Sequence, residues 1–113
     1  MKLILAVIRP SALNAVRAAL TALGIGGLSV AEASVIGDLF TGNGLMNPAI
    51  VCHDDPQANM KLEIAVVDED VDRAVEAIAG VVHGETMEDG KIFVVSLSQA
   101  RRIRTGEAND EAL

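Results

Sequence analysis

Two stretches of this chain are apolar on both faces of an extended backbone, and that doubling restricts the fold more than any other feature. In the first, Leu3, Leu5 and Val7 alternate with Ile4, Ala6 and Ile8. In the second, Ile92 and Val94 alternate with Phe93, Val95 and Leu97. A strand with this pattern calls for apolar cover above and below. A chain of 113 residues is read as one domain, 1–113, with few elements to provide that cover.

The remaining periodicities set those elements in order. The first strand spans Lys2–Arg9 and is broken by Pro10. Ser11 is placed to cap a helix over Ala12–Leu23, whose apolar face carries Leu13, Val16, Leu20 and Leu23, with Gly24 just past its end. Leu28–Ile36 reads as a second strand and Met60–Val67 as a third, with Leu62, Ile64 and Val66 alternating against Lys61, Glu63 and Ala65. Asp68, Glu69 and Asp70 open a second helix, where the macrodipole favours negative charge. Val71, Val75, Ile78 and Val82 form its stripe. Lys91–Leu97 closes the series. The order βαββαβ predicts an α+β, ferredoxin-like fold: a four-stranded antiparallel sheet with two helices on one face. Two helices cover one face only, so the second face predicts self-association.

Two segments fall outside this plan. Residues 37–59 carry Gly37, Gly42, Gly44, Pro48 and Pro56 without periodicity, a connection longer than the ~15 residues usual in a compact domain. Residues 98–113 form a tail that begins with Arg101, Arg102 and Arg104 and ends acidic.

Charge excludes several function classes. Nine basic against sixteen acidic residues leave a net −7, which disfavours nucleic acid, and 2% aromatic residues provide no base-stacking platform. No apolar run reaches the ~18 residues of a membrane helix. The single cysteine forbids an internal disulfide framework. Together these predict a cytoplasmic protein with no direct membrane insertion.

Candidate chemistry lies in three places. Lys91 follows Asp89-Gly90, a permissive turn that can present backbone N–H groups beside a lysine, as a phosphate cradle or simply as a hairpin turn. Arg102 and Arg104 share parity, so an extended tail would direct both guanidinium groups to one side, where such pairs grip phosphate. Solvated surface arginines are the alternative. Cys52-His53-Asp54-Asp55 offers zinc or copper ligands but matches no structural zinc spacing, and a polar loop tip is its other reading. No nucleophile–base pairing stands at a recognisable motif, so no catalysis is expected.

These residues resemble a family. Arg102-Ile103-Arg104-Thr105-Gly106-Glu107 is similar to the C-terminal signature of the PII signalling proteins, and Asp89-Gly90-Lys91-Ile92-Phe93 to the second half of their B-loop. Val7-Ile8-Arg9-Pro10, followed by Leu13, Val16, Arg17, Ala19, Leu20 and Gly24-Ile25, resembles their opening strand and helix. The resemblance implies a homotrimer with adenine-nucleotide clefts between subunits. It also implies a T-loop over residues 37–59 and a B-loop over 84–91. Carried over, the nucleotide site comprises Val7, Ser29, Ile36, Gly37, Asp38, Glu63, Ala65, Glu88, Asp89, Gly90 and Lys91, with Arg102 and Arg104 from the adjacent subunit. No cofactor is obligatory.

The departures shape the expected ligand. Gly84, Glu85 and Glu88 replace the family's Thr-Gly opening and its glycine before Asp-Gly-Lys. Asp38-Leu39 replaces an Arg-Gln pair that helps hold magnesium and 2-oxoglutarate. Asn59 replaces a loop lysine, and the chain has no tyrosine to accept a uridylyl group. These changes predict ADP or AMP favoured over magnesium-ATP, no coupling to 2-oxoglutarate, and a transporter or enzyme partner met through residues 38–59. They point to a divergent branch, with the carboxysome-associated, bicarbonate-linked branch first. A metal-responsive trimer using Cys52 and His53, or a nitrogen regulator of an ammonium channel, is the alternative.

Overall fold

The structure, a computed structural model, describes residues 1–33, 59–83 and 90–113. Its elements are β1 (Lys2–Ile8), α1 (Leu13–Ala22), β2 (Ser29–Ala33), β3 (Asn59–Val66), α2 (Val71–Val82) and β4 (Lys91–Ser96). They form one antiparallel sheet in the order β2-β3-β1-β4, the ferredoxin-like α+β arrangement expected from the periodicities. Expected strand residues 34–36 lie outside the described residues.

The doubled apolar strand β1 takes an inner position between β3 and β4. Its Ile4, Ala6 and Ile8 join Leu62, Ile64 and Val66 of β3 against Val16 and Leu20 of α1 and Ala74 and Ile78 of α2, all buried. The α2 stripe is centred on Ala74 and Ile78, with Val71, Val75 and Val82 packed at its margins. Small Ala74 escaped the sequence reading because it carries little hydrophobic weight. The helices cover the middle strands better than the outer ones: Val30 on β2 and Val94 on β4 remain about half exposed although they share parity with core residues.

The other sheet face carries Leu3, Leu5 and Val7 of β1 beside Phe93 and Val95 of β4. Phe93 is 51% and Val95 46% exposed. This is the face the sequence marked as needing cover.

Two helix starts differ from expectation. Ser11 does not cap α1. Pro10–Ala12 form a 3-10 turn that begins the helix, the Ala12 N–H donates to the Arg9 carbonyl at 3.0 Å, and Ala12 occupies the cap position without a side-chain bond. Pro10 is the cause: its ring presets a helical φ while Arg9 before it stays extended at ψ 147°, so the turn starts one residue earlier. The same extended geometry takes Arg9 out of the ladder, and β1 ends at Ile8. Likewise Asp68–Asp70 form a 3-10 turn ahead of α2. The α1 terminus matches its glycine: Gly24 sits at φ +79° and the Ile25 N–H donates to the Leu20 carbonyl at 3.0 Å, closing a Schellman turn.

At the end of the sheet where β1 begins, the Met1 amine donates to Asp68 Oδ1 at 2.9 Å, with Lys2 Nζ 3.9 Å away. That hydrogen bond, helped by the charges of the amine and Lys2, holds the Asp68 carboxyl below its usual range despite partial desolvation. A lowered carboxyl stabilises the fold above its ordinary titration range, and this contribution fades as pH falls through the lowered value. A carbon-detected NMR titration should therefore place Asp68 below the ordinary aspartate range, and acetylating the Met1 amine should raise it toward that range. An unshifted titration in the parent would contradict the pairing.

Candidate functional site

The register of the sheet assembles most of the described site residues on its open face. Val7 pairs with Lys61 of β3 on one side and with Lys91 of β4 on the other, so two lysines flank it in one row. In the next row Leu5 lies beside Glu63, which in turn pairs with Ser29 of β2. Ala65 pairs with Leu3. Val7, Ser29, Glu63, Ala65 and Lys91 therefore share one face, as their parities require. Lys61 Nζ lies 2.7 Å from Glu63 Oε1, both side chains being partly exposed. Lys61 was missed as a site candidate. Alternation put it beside Glu63, but only the register puts it beside Val7.

Gly90 makes the close approach that positions Lys91. Its φ is +109°, and a Cβ built there would land on the Val7 carbonyl oxygen. Only glycine permits both the conformation and the approach. A cleft of about 290 Å³ opens beside this contact, between Val7 and Ile8, the last turn of α2 at Val82 and His83, and the start of β4 at Gly90 and Lys91. His83 stands exposed at this cleft, terminating α2 through its backbone N–H to the Ala79 carbonyl at 3.0 Å.

The tail corrects the sequence reading. Residues 102–106 turn instead of extending: Arg101 bridges to Ala108, the Arg102 N–H donates to the Glu107 carbonyl at 2.9 Å, and the Gly106 N–H donates to the Arg102 carbonyl at 2.9 Å. Gly106 at φ +77° allows the turn. Parity consequently does not align Arg102 with Arg104. Arg102 Nη1 lies 3.0 Å from Glu107 Oε2, and Nη2 donates to the carbonyls of Ala112 and Leu113 at 3.4 and 3.5 Å. Arg104 forms no ion pair with a described residue, and Ile103 beside it is fully exposed.

The two halves of the expected phosphate grip lie at opposite ends of one strand. β4 starts at Lys91, and its other end, Ser96, pairs with Lys2; Leu97 then donates its N–H to the Met1 carbonyl at 3.2 Å, and the tail departs from there. Five residue steps along β4 separate the ends by about 17 Å. Among the described residues, the hydrogen bonds of the tail beyond that point join tail residues to one another.

Ile36, Gly37, Asp38, Glu88 and Asp89 lie outside the described residues, as do Cys52 and His53. Among the described residues no group of three or more His, Cys, Asp or Glu side chains is placed to hold a metal, and no helix is long and apolar enough to cross a membrane.

The chain is similar to known proteins along its length. A family model described as nitrogen regulatory protein P-II matches residues 1–107. The chain is 44% identical over an alignment of 119 positions to a nitrogen regulatory protein P-II of Rhizobium etli, and 42% identical over 113 to one of Rhodobacter capsulatus. It is 34% identical over 113 residues to the nitrogen regulatory protein GlnK of Escherichia coli K12. Each alignment covers the whole of both chains.

Proposed function

The chain belongs to the nitrogen regulatory protein P-II family of signalling proteins, and from that premise we propose that it is a non-catalytic, homotrimeric sensor of adenine nucleotides. The observation that carries this reading is the separation of Lys91 from Arg102 and Arg104 by the length of β4. A phosphate chain gripped by both ends needs the tail of a second subunit beside Gly90 and Lys91 of the first. The exposed apolar face with Leu3, Leu5, Phe93 and Val95 supports the same assembly, since self-association is the economical cover for it.

The sequence supports a preference for ADP or AMP. A carboxylate at Glu88 next to an incoming terminal phosphate is opposed by about 1–4 kcal/mol of Coulomb repulsion. Asp38-Leu39 lacks the glutamine through which the family holds magnesium and 2-oxoglutarate. The partner is a transporter or enzyme reached through residues 38–59. Full-length relatives named as nitrogen regulatory proteins support a nitrogen-linked partner, whereas the substitutions at Asp38, Asn59 and Glu88 are what supports a bicarbonate-linked one.

Light scattering should give three times the chain mass. Calorimetry should show ADP binding at least as tightly as magnesium-ATP. A monomer, or magnesium-ATP binding that strengthens with 2-oxoglutarate, would overturn the proposal.

A further inference from the structure

We propose that Glu107 is an internal stand-in for phosphate, a carboxylate seated on the Arg102 guanidinium that an incoming nucleotide phosphate displaces. The proposal rests on the adenine-nucleotide reading and adds to it a residue that sets affinity by competition. Three observations lead to it. Glu107 Oε2 lies 3.0 Å from Arg102 Nη1, so the guanidinium already faces an anion. That oxygen is withdrawn from solvent, yet no donor is aligned with it as a hydrogen bond, Nη1 included. The pair is therefore held by charge alone, without the directed bonds that make guanidinium–anion contacts strong. Lastly, the 2.9 Å backbone bond that closes the turn between Arg102 and Glu107 keeps the two residues adjacent, so the carboxylate stays within reach of the guanidinium and can return to it.

A phosphate carries more negative charge than a carboxylate and accepts two guanidinium N–H bonds in parallel. It displaces Glu107, whose freed oxygen then regains water. Arg104, on the same turn and without an ion partner among the described residues, is open from the start. One arginine of the turn is thus guarded and the other is not.

Removing the carboxylate charge should tighten binding. In calorimetry on the full chain, Glu107→Gln should bind ADP about two- to fivefold more tightly than the parent, the range expected for a partly exposed ion pair. The gain should shrink toward 1 M salt. Glu107→Asp keeps the charge and should bind within about twofold of the parent. Independently of any change in stability, saturating the parent with ADP should move the Glu107 carboxyl carbon resonance toward its position in Arg102→Ala. A Glu107→Gln variant that binds no tighter, equal tightening in both variants, or an unmoved resonance would overturn the inference while leaving the nucleotide reading intact. A parent that binds no ADP would defeat both.

Discussion

Gly90→Ala should be the most damaging small substitution in the described chain, lowering stability by roughly 2–5 kcal/mol. Two penalties combine. A non-glycine residue at φ +109° is strained, and its Cβ would overlap the Val7 carbonyl, which belongs to an inner strand hydrogen-bonded on both sides. Relief requires moving either Gly90 or β1, and both break the Val7–Lys91 pairing that begins β4. Gly24→Ala is the matched control. It carries a similar strain at φ +79° but meets nothing within 4 Å, so it should cost about 1–2 kcal/mol. Thermal unfolding of the two variants gives the comparison, and equal melting temperatures would contradict the close approach. Because Lys91 directly follows Gly90, ADP affinity should fall for Gly90→Ala and stay near parental for Gly24→Ala.

A subunit-mixing experiment should show the largest functional effect. Lys91→Ala and Arg104→Ala should each weaken ADP binding about tenfold or more, since a charge-assisted phosphate contact is worth roughly 1.5–3 kcal/mol. Arg102→Ala should do the same, with some loosening of the tail turn it helps close. Arg101→Ala should cost little, its backbone bridge to Ala108 being independent of its side chain. Co-assembling the Lys91→Ala and Arg104→Ala chains in equal amounts should then restore about a quarter of the sites to parental affinity, because in a cyclic trimer that share of interfaces pairs an intact lysine with an intact arginine. No recovery would mean that the two groups act within one chain, which the length of β4 speaks against.

The sequence was most informative where the chemistry is local. The alternation in β3, the stripe of α1, the glycine ending α1 and the doubled apolar pattern of β1 are all properties of neighbours within a few positions, and each reappears in the structure. Local patterns failed where two of them compete. Ser11 looked like a cap, but the ring of Pro10 starts the turn before it. Arg102 and Arg104 share parity, but Gly106 and the Arg101–Ala108 bridge replace an extended tail with a turn.

Element order and the apolar face of each strand and helix are thus legible from neighbouring residues, because side-chain direction follows from backbone period alone. Which distant residues meet depends on how the strands and helices pack. Lys61, Val7 and Lys91 become one row through antiparallel register. Gly90 is required by a carbonyl more than eighty positions earlier. The phosphate-binding candidates are divided between the two ends of β4. Register and strand order are long-range choices, set by how the whole core packs, and no window of neighbouring residues contains them.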